Sequence, residues 1–310
     1  MASPGRKWSY ARSAGYALFV MALILAGVFV LVRSAGDPLD ALLPDTATAE
    51  DRARFAQAIG LDKPIYVQFA IYVGRLLHGD FGTSLKYGEP AMSLVVERIP
   101  ATVELGLAAM LVSIVVGAAI GIASAVNHGR RVDTILSVLV IAGKSVPSFF
   151  LGMLLIMVLA VSLGWFPVSG GGSFRNLVLP AVTLGVSLGA QNARLVRTAL
   201  LETLNQDFVR AARARGLPRR TVVLKYGLGN ALLPILTVVM LQIPHLMGGV
   251  LVIETLFSWP GMGQLAVSAL SSRDMPLVQA SVLFIAGLVV GTNLLTDILY
   301  ARLDPRIRLA

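Results

Sequence analysis

The sequence predicts an all-α integral membrane protein with six transmembrane helices, and three observations predict it. The chain of 310 residues is 56% hydrophobic and only 14% charged, with a mean hydropathy of +0.77, which is too apolar for a soluble domain of this length. Six apolar runs separated by polar stretches are each long enough to cross a hydrocarbon layer of ~30 Å at ~1.5 Å per residue. The basic residues behind the net charge of +9 fall in short clusters between those runs. Clusters of that kind obey the positive-inside rule, which accounts for the basicity better than a nucleic-acid partner does.

Taken in order, Met1–Ser13 is a short basic tail with Arg6, Lys7 and Arg12, and residues 14–32 form the first span. A cleavable signal peptide is the rival reading, since Ser34, Ala35 and Gly36 are small. The apolar run, however, exceeds the usual h-region of roughly 7–15 residues. Residues 33–100 are the one sizeable polar segment, with nine carboxylates from Asp37 to Glu97, a balance suited to the outer side. Within it Thr48 and Asp51 read as a capping box, Ala49 to Ile59 as a helix and Gly60 as its stop. Ile65, Phe69, Tyr72, Val73 and Leu76 recur at helical spacing, so Pro64 to Leu77 reads as an amphipathic helix lying against the protein or the interface.

The remaining spans are residues 101–126, 135–163, 177–198, 231–257 and 279–300. With the N-terminus inside, Arg130 and Arg131, the loop 199–230 and the tail 301–310 with Arg302, Arg306 and Arg308 are all cytoplasmic. The outer loops 164–176 and 258–278 then hold only Arg175 and Arg273. The opposite orientation violates the rule throughout. No cysteine is present, so disulfides, thiolate metal sites and a Cys nucleophile are excluded, and His78, His128 and His245 form no ligand cluster. A Gly-rich phosphate loop ending in Gly-Lys-Ser/Thr is also absent. If ATP drives this protein, another chain binds it.

The stretch Asp207 to Pro234 is a long basic interruption between apolar runs. Asp207 is positioned as an N-cap, Phe208 to Arg215 are good helix formers, and Gly216 followed by Pro218 gives the expected stop. The helix carries small residues at Ala211, Ala212 and Ala214 and charges at Arg210, Arg213 and Arg215, a surface suited to docking; Arg219 opens a second helix. By itself it also reads as a generic basic loop.

Arg210-Ala211-Ala212, three residues, then Gly216 resembles the cytoplasmic coupling ("EAA") loop of membrane subunits of binding-protein-dependent ABC importers, in the dipeptide/oligopeptide permease variant. Arg210 stands where the general pattern has Glu, and Tyr226-Gly227-Leu228-Gly229 replaces the Ile-x-Leu-Pro ending; both departures are usual in the peptide branch. The runs GLDKPIYVQFAIYVGRLLHGDFGTSL, VLVIETLFSWPGMGQL, SRDMPLVQASVLF and NLLTDILYARLDPRIR resemble further signatures of that family, in order along nearly the whole chain. The resemblance implies one type I ABC importer permease domain in a prokaryotic plasma membrane, multi-pass with both termini cytoplasmic. It implies partnership with a homologous second permease, two ABC ATPase subunits that carry ATP and Mg, and an extracytoplasmic binding protein. No cofactor is expected in this chain. It implies coupling to the ATPases through Arg210, Ala211, Ala212, Arg213, Arg215 and Gly216, and a solute that is a dipeptide or oligopeptide, with nickel, glutathione or haem as alternatives.

Polar residues inside spans are costly and are the default candidates for a translocation pathway. Lys144 is the sharpest, about 14 Å into its span at helical rise, with Pro147 following to loosen the helix. Pairing with a carbonyl or a partner-subunit carboxylate is the equal alternative. Gln191, Asn192, Gln242, His245, Glu254 and Asn293, with Asp297 one turn later, are further candidates; a hydrogen-bonded packing role beside Pro244 suits His245 better than a ligand role. Two other classes compete. An ion-coupled secondary transporter would use Lys144, Glu254 and Asp297, whereas a membrane-embedded protease lacks any Ser/His/Asp or paired-carboxylate constellation at suitable spacing.

Overall fold

The computed structural model describes residues 4–34, 48–59 and 62–303, which are helical with turns and one isolated bridge between Thr83 and Pro90. Gly60, Ala35, Gly36, Arg306 and Arg308 lie outside the described residues. The chain divides into two compact units, one of Met1–Pro100 with Gly261–Gly291 and one of Ala101–Pro260 with Thr292–Ala310.

The first unit contains α1 (Pro4–Ser34), α2 (Ala49–Ile59), α3 (Ile65–Leu77), the start of α4 (Ala91–Val126), α12 (Met262–Ser271) and the start of α13 (Met275–Leu303). The expected capping box closes α2: the Asp51 amide donates to Thr48 Oγ1 at 3.2 Å, and the Thr48 amide donates to Asp51 Oδ2 at 3.2 Å. α3 lies along α1 through Phe29, which meets Phe69 edge-on at 5.2 Å and stacks on Tyr72 at 5.6 Å. The core gathers Ala91, Leu94 and Val95 with Met262, Leu265 and Leu277.

Two sequence signatures meet here. Asp274, fully buried, accepts hydrogen bonds from Ser84 Oγ, from the Lys86 amide at 3.2 Å and from the Leu277 amide at 3.3 Å. One carboxylate therefore caps α13 and fastens the Gly-rich turn of residues 79–90. Gly82, at φ +80°, brings that turn to within 3.2 Å of Pro276 Cβ, measured from where its own Cβ would stand. The segment of residues 258–278, expected as an outer loop, holds α12.

The second unit is built around α7 (Phe174–Leu204), which packs against α5 (Arg131–Ser145), α6 (Ser148–Leu155), α10 (Gly229–Leu241) and α11 (Ile243–Leu256). Both chain directions of the α4–α7 contact carry glycines four apart: Gly117 and Gly121 on α4, Gly185 and Gly189 on α7. A Cβ at Gly121 would stand 2.7 Å from the Ala193 carbonyl oxygen, and one at Gly185 would stand 2.8 Å from the Ala109 oxygen. Backbones that close require small residues, the device typical of helix contacts in lipid.

Several expected boundaries shift. The helix of the second span starts at Ala91 and runs through Pro100, because buried Ala91, Leu94 and Val95 hold the turns ahead of the proline. The third run is bent by 101° between Arg131–Ser145 and Ser148–Ser162: the residue before Pro147 is extended, at φ −82° and ψ 122°. Its second limb ends in a π-helical stretch, Ile156–Ser162. The fifth run divides at Gln242, with Pro244 in the first turn of α11. Among the described residues, two helices are long and apolar enough to span a membrane singly, Ala91–Val126 and Met275–Thr296, or four spans if each bent pair counts as one.

Candidate functional site

The basic loop forms α8 (Asp207–Ala214), followed by α9 (Arg219–Thr221), a π-helical stretch Val222–Leu228, and α10. Gln206, not Asp207, occupies the N-cap, with no side-chain cap hydrogen bond. Asp207 instead faces Arg210 at 2.7 Å, with side chains 92% and 71% exposed. An ion pair that open to solvent is worth only ~0–1 kcal/mol. The expected stop is in place: Gly216 has φ +74°, its amide donates to the Arg213 carbonyl at 2.9 Å, and the Leu217 amide reaches Ala212 at 3.4 Å. That is the Schellman closure, completed by Leu217 packing on the cluster that contains Ala212.

The two faces of α8 differ sharply. Val209 and Ala212 are 0% and 1% exposed, buried against Ala125, Leu200, Leu204, Val222 and Val223 of the same chain. Ala212 is thus an anchor of the helix and not part of its free surface, a correction to the small-residue face expected from spacing. Phe208, 45% exposed, and Arg210, Ala211, Arg213, Ala214 and Arg215 point outward. Behind the helix, Gly227 lets Leu200 and Leu204 approach to 2.9 Å of its missing Cβ, and Arg219 Nη2 donates to the Val126 carbonyl at 2.6 Å. α8 is thus packed against the ends of α4 and α7 of the same chain.

The polar pathway candidates separate. Asn192 and Gln242 come together: Asn192 Nδ2 donates to Ser113 Oγ at 2.6 Å, and Gln242 Nε2 donates to Asn192 Oδ1 at 2.7 Å. Both are buried, and Gln242 Oε1 has no hydrogen-bond partner among the described residues. This chain of amides sits where α10 breaks into α11. Glu254 is fully buried, accepting from Thr102 Oγ1 at 2.6 Å. Its backbone carbonyl accepts from the Trp259 amide at 2.8 Å, while Trp259 Nε1 donates to the Ala101 carbonyl at 2.8 Å. Trp259, 2% exposed, is accordingly a core residue and not an interfacial aromatic. Lys144, Gln191, His245 and Asn293 are exposed on the isolated chain and do not converge with the buried pair. The hydrogen-bonded packing role expected of His245 does not occur within the described residues.

One ionic cluster carries no signal in linear sequence. Asp133 accepts from Arg197 Nε at 2.8 Å and Nη2 at 2.9 Å, from the Gly129 amide at 3.1 Å and from Ser124 Oγ. His128 Nδ1 lies 3.1 Å from both Asp133 and Arg197; it either donates to the carboxylate or accepts from the guanidinium, one tautomer excluding the other. Joining α4, α5 and α7, this fork-to-fork pair is the strong form of charge-assisted hydrogen bonding.

Comparison with known proteins identifies the family. Residues 117–309 match the family described as binding-protein-dependent transport system inner membrane component. The chain is 39% identical over 291 residues to the glutathione transport system permease protein GsiC of Salmonella choleraesuis (strain SC-B67), covering 94% of each. It is 38% identical over 300 residues to the oligopeptide transport system permease protein AppB of Bacillus subtilis (strain 168), covering 92% of this chain and 95% of the relative. An inward-facing structure of the MetNI methionine ABC transporter shares the fold, with a TM-score of 0.56 at 21% identity over 69% of this chain and 97% of that one. With apolar helices of membrane-spanning length, a matching family over more than half its length and full-length relatives, the chain belongs to the binding-protein-dependent transport system inner membrane component family, as a multi-pass prokaryotic plasma-membrane protein.

Proposed function

We propose that this protein is the membrane-spanning subunit of an ATP-driven importer for small peptides, forming half of the translocation pathway beside a homologous second permease. Two separate ATPase subunits and an extracytoplasmic binding protein complete the machine. The observation that carries the reading is α8, anchored by Val209 and Ala212 while Phe208 and its arginines face outward. That is the form of a lever whose outer face docks in an ATPase groove. Relatives named for glutathione and for oligopeptides both act on peptide chemistry, which supports a peptidic solute over nickel or haem.

Six spans with both ends cytoplasmic remain the favoured topology. The six apolar runs fall on α1, α4, the bent pair α5–α6, α7, the run from α9 to α11, and α13, which supports that reading. Alternating access then requires that α8 make different contacts in two states of the ATPases.

The test is charge reversal on the outward face. Arg210→Glu combined with Arg213→Glu should leave membrane insertion and permease pairing intact while the ATPases fail to copurify or fail to respond to solute. Full association together with full uptake in that variant would return α8 to the status of an ordinary cytoplasmic loop.

A further inference from the structure

A cavity of about 380 Å³ opens between α4, α5 and α7, in the size range of small-ligand pockets. Its lining is divided. Arg194, Arg197, Ser124 and Thr198 supply one polar part, and Leu136, Val140 and Ile141, interrupted by Ser137, supply a mainly apolar wall. Arg197 is committed to Asp133. Arg194 is exposed and has no hydrogen bond or ion pair within the described residues, so the cavity keeps a net positive charge with unused donors. Arg130 and Arg131, at the start of α5, are also exposed.

The depth is informative. Seventeen residues separate Leu177 from Arg194, which is about 26 Å of helix and brings Arg194 to the far boundary of a ~30 Å hydrocarbon layer. Under the topology proposed above, on which this inference rests, that boundary is the cytoplasmic leaflet. Basic pockets between membrane helices on that side hold anionic headgroups. A charged pole at headgroup depth joined to an apolar wall running into the bilayer matches one molecule with both properties.

We infer that the Arg194–Arg197 cavity is a binding site for an anionic phospholipid, its phosphate held by Arg194 and the free edge of Arg197 and its acyl chain laid along Leu136, Val140 and Ile141. Bound there, the lipid bridges the first turns of α5 to α7 beside the Asp133 cluster.

The experiment uses the assembled transporter, delipidated in detergent and titrated by native mass spectrometry. The probes are phosphatidylglycerol, phosphatidylcholine of the same acyl chains, and inorganic phosphate as a competitor. Wild type should retain phosphatidylglycerol over phosphatidylcholine. Arg194→Gln should weaken retention about five-fold, Arg194→Lys should recover most of it, and Arg175→Gln, at the other end of α7, should change nothing. Equal retention by wild type and Arg194→Gln overturns the site. Displacement by millimolar phosphate overturns the lipid assignment in favour of a soluble anion. ATP-dependent uptake is measured in parallel: its persistence without lipid selectivity sinks this inference alone, whereas selectivity without uptake sinks the functional reading alone.

Discussion

Replacing Gly121 by alanine adds one methyl group and tests whether the α4–α7 contact organises the second unit. The new Cβ would lie 2.7 Å from the Ala193 oxygen, 2.7 Å from Val196 Cβ and 2.9 Å from Val196 Cγ1. Ordinary contact begins at 3.4 Å, so the shortfall against backbone is 3.4 − 2.7 = 0.7 Å, and an oxygen fixed in a helix has no rotamer with which to yield. Overpacking of this kind costs about 1–3 kcal/mol. Against it stands the better helix propensity of alanine, about 0.8–1.0 kcal/mol. The net is destabilisation of up to about 2 kcal/mol. Gly248→Ala is the matched control, since nothing lies within 4 Å of the Cβ it would add; there only the propensity gain remains. Thermal unfolding of the two purified variants, followed by a thiol-independent dye or by circular dichroism at one scan rate, should move the midpoint down for Gly121→Ala and up or nowhere for Gly248→Ala. Equal shifts in the same direction would refute the argument that these backbones are held at the limit of approach.

Further outcomes follow from the other contacts. Gly216→Val places a β-branched residue at φ +74°, a conformation costing at least ~1–3 kcal/mol; the variant should insert normally yet lose solute-stimulated ATP hydrolysis, and unchanged hydrolysis would deny α8 its role. Asp274→Leu removes the acceptor of Ser84 Oγ and two amides and should expose the turn of residues 79–90 to protease with a stability loss of ~3 kcal/mol or more; a wild-type cleavage pattern would contradict the fastening. Lys144→Met should alter uptake or complex yield, because an unpaired ammonium facing lipid costs at least ~2.5 kcal/mol; normal values for both would leave Lys144 without a role.

What the sequence made legible was local. The Thr48–Asp51 box, the Gly216 stop and the helix over residues 65–77 each depend on residues within one or two turns, and each is where the pattern placed it. Breaks at Pro147 and near Pro244 were visible as prolines, but the 101° bend at the first depends on what the second limb packs against. The burial of Ala212 and Trp259 was not legible for the same reason: a small or aromatic residue is neutral about its partner until the tertiary neighbours are known. Long-range pairs such as Ser84–Asp274, Asp133–Arg197 and Asn192–Gln242 leave no local trace. The glycine seam did leave one, in the four-residue spacing of Gly117 with Gly121 and of Gly185 with Gly189, and its meaning emerged only when both helices faced each other.

In the proposed machine, ATP hydrolysis on separate subunits drives peptide movement through this chain. The most direct test is uptake of labelled di-, tri- and longer peptides by proteoliposomes holding the complete complex and its binding protein, with ATP supplied on the ATPase side and no ion gradient. Accumulation should require ATP and should be abolished by Arg210→Glu with Arg213→Glu. Accumulation driven by a proton or sodium gradient without ATP would contradict that mechanism.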